Sequence, residues 1–115
     1  MRWIELNEWA FEAFVASKGR PTLVVIYSQV SAPCTLTLRS LSTLSAEWDD
    51  EIRLARVDVN MSPNLVSRFE IVTLPVLLLY RDGVEVGRRV GRLHHWRMEA
   101  FVSTAFPEPL EEERR

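Results

Sequence analysis

Residues 22–27 read Thr-Leu-Val-Val-Ile-Tyr, a β-branched, apolar run with nothing charged inside it. The run is strand length, well short of the roughly 20 residues needed to cross a bilayer. Successive side chains of a strand point to opposite faces of a sheet. A strand apolar at odd and even positions alike must therefore be covered on both faces, as in a central sheet position flanked by helices.

The flanking sequence supplies those helices. Arg2–Leu6 alternates and predicts a short strand. Asn7 is a good N-cap and Glu8 suits a first turn, ahead of Trp9, Phe11, Phe14 and Val15 at helical spacing. Gly19 and then Pro21 close that helix. Pro33 suits the first turn of a second helix, along which Leu36, Leu38, Leu41, Leu44 and Trp48 recur, ending near Trp48–Glu51. Ile52–Val59 alternates as a strand does. Ser62-Pro63 reads as a cap and first-turn proline for a short helix carrying Leu65, Val66 and Phe69.

Leu74-Pro75 leads into the strand Val76–Tyr80, Arg81–Gly83 is a hairpin turn, and Val84–Val90 returns. Gly91 breaks the strand, and Trp96–Phe106 forms a last helix with Met98, Phe101, Val102 and Ala105 on one face. The order β-α-β-α-β-α-β-β-α predicts an α/β domain over residues 1–106. Its mixed five-stranded sheet has a parallel core, an antiparallel C-terminal hairpin and helices on both faces. Residues 107–115 read as a charged, solvated tail.

Composition narrows the function. The 115 residues are 47 % apolar and 26 % charged, enough for a single core. The formal charge of −2 gives no electrostatic argument for nucleic acid or an anionic membrane as partner. The N-terminal segment carries acidic residues and lacks an uninterrupted apolar stretch, so no signal peptide is read and a cytoplasmic location is expected. The single cysteine, Cys34, excludes an internal disulfide.

Four segments in order, Thr22–Cys34, Leu54–Pro63, Ile71–Gly83 and Gly87–Leu93, resemble the landmarks of the thioredoxin family. They correspond to the strand and active-site loop, the third strand and its turn, the cis-proline loop with its hairpin, and the glycine bordering the substrate groove. The resemblance covers most of residues 1–106 and implies the thioredoxin fold, with Pro75 as the cis-proline.

It also exposes what is missing. Family members end the active-site loop in Trp-Cys-Gly-Pro-Cys, whereas this chain reads Val30-Ser31-Ala32-Pro33-Cys34. Thiol–disulfide exchange needs a low-pKa thiolate to attack and a second thiol to resolve the mixed disulfide. Ser31 holds the attacking position and Cys34 the resolving one. A serine hydroxyl is too weak an acid and too poor a nucleophile toward sulfur to substitute. A hydrolase role for Ser31 would need a base, and no nearby family position supplies His, Asp or Glu. Val25 replaces the family's buried acid, and Arg56 replaces its buried lysine and has lost the acid it would face.

The resemblance leaves a groove for an extended peptide, walled by Val30, Ala32, Pro33, Val59, Thr73, Leu74, Pro75 and Gly91 with Arg92 at the rim. The first expectation is thus a protein- or peptide-binding, chaperone-like or self-associating module without dithiol chemistry and without a cofactor. The alternative is a monothiol redox protein using Cys34, whose thiol would be favoured by a helix N-terminus and opposed by burial. Glutathione-linked chemistry at Ser31 ranks last, for want of a second helical domain. His94-His95 and the acidic Asp49–Glu51 turn lack the further ligands a metal site requires.

Overall fold

The computed structural model describes residues 3–48 and 50–106. The expected tail and Asp49 lie outside the described residues. The elements run β1 Ile4–Leu6, α1 Phe11–Val15, β2 Thr22–Tyr27, α2 Ala32–Leu44, β3 Arg53–Asp58, α3 Pro63–Arg68, β4 Val76–Arg81, β5 Val84–Val90 and α4 His95–Ser103. Short 3₁₀ turns at Ser45–Glu47 and Val59–Met61 follow α2 and β3.

The sheet order is β1-β3-β2-β4-β5. β1 and β2 flank β3 in parallel, whereas β4 pairs antiparallel with both β2 and β5. β2 is central and buried at every position, as its unbroken apolar sequence requires. One face holds Leu23, Val25, Leu54, Leu77 and Leu79 against α2 and α4. The other holds Val24, Ile26, Ala55, Val57 and Leu78 against α1 and α3. The β4–β5 turn places Asp82 and Gly83 at φ 53° and 83°, the twist that a two-residue hairpin needs.

Two helix starts differ from expectation. α1 begins at Phe11, not beside Asn7, whose Oδ1 instead accepts from Ala10 N (2.8 Å) in the preceding turn. Trp9 is 75 % exposed rather than part of the core face. It lies in the turn before α1, outside the helix whose Phe11 and Val15 carry the buried stripe. Glu8 serves a different helix: its carboxylate accepts from Asn64 N (2.8 Å) and Asn64 Nδ2 (3.0 Å) at the start of α3. Ser62 stands at the N-cap of α3, yet its hydroxyl has no hydrogen-bond partner among the described residues.

Gly87 lets β5 lie against α4. A Cβ there would sit 2.7 Å from Phe101 Cε1, and that ring is buried with the Arg89 guanidinium 4.6 Å above it. Gly87→Ala is expected to lose about 1–3 kcal/mol, read as a lower urea midpoint at unchanged slope.

Candidate functional site

The active-site loop lies where β2 ends and α2 begins. Ser31 is the N-cap of α2, with extended backbone (φ −97°, ψ 119°), and its Oγ accepts a hydrogen bond from Cys34 N at 3.3 Å. The local sequence explains this. A small hydroxyl residue at N-cap satisfies an orphan N–H of the first turn, and Pro33 just inside the helix has no N–H to satisfy. The Ser31 oxygen thus holds the helix terminus.

Cys34 is fully buried and belongs to the α2–α4 core with Val25, Tyr27 and Leu77. Its contribution is that of a small apolar side chain. Val25 is likewise inaccessible, and no carboxylate stands at that position to exchange a proton with the thiol.

Arg56 lies opposite Val25 in the β2–β3 register, with no acid there, and pairs with a carboxylate on its other side: its Nε meets Glu5 Oε1 at 2.7 Å across the β1–β3 ladder. Tyr27 OH donates to Glu5 Oε2 at 2.9 Å, and the Arg56 guanidinium lies 5.2 Å from the Tyr27 ring centroid. Beside them Gln29 Nε2 donates to Asp58 Oδ2 (3.1 Å), while Asp58 Oδ1 accepts from Asn60 N (2.9 Å). The charge at position 56 therefore ties the edge strand β1 to the sheet.

Burial, the hydrogen bond to Glu5 and that carboxylate's charge push the Tyr27 phenol up to about 12, with Arg56 opposing. Burial and Glu85 push Tyr80 up to about 12 as well. An acid raised in the folded state contributes its full stability below its unfolded value of about 10, and loses it as pH rises toward 12. Stability is expected to fall between pH 10 and about 12. Phenolate absorbance should lag behind that of free tyrosine and appear together with unfolding.

The structure brings the expected groove residues to one end of the sheet. The Leu74–Pro75 bond is cis, and Gly91 N donates to Pro75 O at 2.7 Å, joining the two loops. Val30 is 91 % exposed, and Ala32, Pro33, Thr73 and Arg92 are exposed too. Val59, Leu74 and Gly91 are half-buried, and Pro75 itself is buried. Leu74 packs against both core layers, so its side chain anchors the loop. Among the described residues, the backbone groups of Thr73 and Leu74 have no hydrogen-bond partner. Two exposed apolar residues beside the groove were not singled out from sequence: Val72 (90 %) and Met61 (71 %). Each adjoins a predicted turn, and apolar side chains in turns were the only available signal.

His94 and His95 stand exposed at the start of α4. No helix among the described residues is long and apolar enough to cross a membrane.

The family model described as Thioredoxin matches residues 2–104. The chain belongs to the thioredoxin family. It is 28 % identical over 100 residues to "Thioredoxin X, chloroplastic" of Arabidopsis thaliana, covering 85 % of this chain and 55 % of that protein. It is 30 % identical over 88 residues to "Thioredoxin" of Mycobacterium tuberculosis, covering 76 % of each. A "Bifunctional thioredoxin reductase/thioredoxin" of Mycobacterium leprae is also 30 % identical over 88 residues, 76 % of this chain and 19 % of that protein. The chain thus spans about half of the plastid relative and a fifth of the bifunctional one.

Proposed function

We propose that this chain has lost dithiol–disulfide exchange and works as a protein- or peptide-binding module of the thioredoxin family. One observation carries the reading: the only thiol is buried, and the loop presents Ser31, whose oxygen caps α2. The absence of a carboxylate at Val25 agrees with it. Burial of Cys34 counts against the monothiol alternative, since exchange, glutathionylation and nitrosylation all need an accessible thiolate.

What supports binding is the loop before Pro75. Unpartnered backbone at Thr73 and Leu74, beside exposed Val30 and Val72, suits the pairing of an extended peptide by main-chain hydrogen bonds. The test is a peptide selected by display against the native protein and then titrated in solution. Methylation of its central amide should weaken binding roughly five- to tenfold, the worth of one net main-chain hydrogen bond. Val30→Asp, at an exposed position, should weaken it at least as much. Binding indifferent to both changes would place the peptide elsewhere.

A further inference from the structure

The loop that leads into Pro75 offers a partner three kinds of contact. Thr73 and Leu74 supply backbone groups without hydrogen-bond partners among the described residues. Val72, just before them, is exposed, as is Val30 of the active-site loop. Gly91 N donates to Pro75 O, so Arg92 follows directly on the residue that meets the end of this loop. The unpartnered backbone thus has an apolar side chain at its Val72 end and a cation at its Pro75 end.

The charge at the groove is of one sign. Ser28–Leu38, which carries the active-site loop, contains no charged residue. Arg92 is the one charged residue among those that wall the groove. The stretch Val86–Met98 holds Arg88, Arg89, Arg92 and Arg97 and no acid, in a chain whose formal charge is −2. The other three arginines are engaged: Arg88 with Glu85 and Phe69 O, Arg89 with Arg88 O and the Phe101 ring, Arg97 with the Trp96 ring. Arg92 is exposed and has no ion-pair or hydrogen-bond partner among the described residues. The acid beside the groove residue Val59 does not answer it. Asp58 is buried, and its two oxygens accept from Gln29 and Asn60.

Resting on the peptide-binding reading, we propose that the groove selects an extended segment of one polarity pattern. A carboxylate side chain stands on one flank of the residues paired to Thr73 and Leu74, and an aliphatic side chain on the other. The carboxylate meets Arg92, and the aliphatic group covers Val72. A lysine or arginine in the first position is repelled, so selectivity comes from repulsion as well as attraction. Because Arg92 stands at the rim, its effect falls mainly on the association rate and is screened by salt.

The test is a random library of short peptides displayed against the native chain, followed by titration of the most enriched sequence as a synthetic, end-capped peptide. Enriched sequences are expected to share an acid on one flank and a valine, leucine or isoleucine on the other. Replacing the acid by its amide should weaken binding roughly two- to fivefold, the range for an exposed ion pair. Replacing it by lysine should weaken it further, and the difference should shrink in high salt. Arg92→Glu should reverse the order, so that the lysine peptide binds more tightly than the acidic one. Arg20→Glu makes the same change of net charge at the other end of β2 and should leave the order intact. Peptides that depend on the central amide and on Val30 but are indifferent to charge would overturn this inference and leave the groove reading standing. Equal effects of Arg92→Glu and Arg20→Glu would do the same. Peptides indifferent to the amide and to Val30→Asp would remove both. Self-association of the chain without peptide, abolished by Val30→Asp, would assign the groove to a second copy and overturn the inference.

Discussion

Ser31→Cys is expected to give the chain a disulfide-reducing activity. The new thiol would stand at the N-cap of α2, where unpaired N–H groups and the helix dipole favour the thiolate. Cys34 lies three residues on, at the spacing of the family's resolving thiol. The variant should form an internal disulfide on mild oxidation, seen as the loss of two hydrogens by mass spectrometry, and should reduce the disulfides of insulin. The rate should still fall on the order of 10²-fold or more below that of a thioredoxin, because a missing general acid–base group costs about that much and Val25 cannot transfer a proton. Loss of the Ser31 cap lowers stability as well, by about 1 kcal/mol. If the variant oxidised readily but matched a thioredoxin in rate, the importance given to Val25 would be wrong.

Phe11→Ala is expected to be the most destabilising simple truncation. Phe11 is fully buried and meets Phe69 and Tyr80 edge-on, with ring centroids 5.7 and 6.0 Å away. α1 has only five residues, too few to be stable alone, so Phe11 and Val15 are what hold it to the sheet. Removing the ring should lose about 3–5 kcal/mol, a large part of the roughly 5–15 kcal/mol available to a domain of this kind. Urea denaturation should show a midpoint shift of about 1–3 M at unchanged slope. A shift below about 0.5 M would mean that α1 contributes little to the folded state.

Much of the fold was legible because its signals are local. The unbroken apolar run of β2, the hairpin at Arg81–Gly83 and the first-turn proline of α2, Pro33, each depend on neighbouring residues alone. Trp9 misled because the helix starts two residues after it, which leaves it in an exposed turn although it is as apolar as the residues that are buried. Glu8 misled because an acid near a helix start suits its own helix, while the group it satisfies belongs to Asn64. No reading of one segment could locate that partner.

The site divides along the same line. Ser31, Cys34 and their spacing are contiguous, so the single thiol of this loop could be read directly. The pairing of Glu5 with Arg56 depends on the register of two strands far apart in sequence.

The account rests on the claim that the native chain carries out no dithiol exchange. The direct measurement compares insulin reduction by the native protein and by Cys34→Ala, with dithiothreitol as electron donor and the uncatalysed rate as baseline. Both proteins are predicted to match the baseline. Turnover by the native protein that disappears in Cys34→Ala would contradict the account, because the one thiol, though buried, would then be doing redox chemistry without a partner thiol.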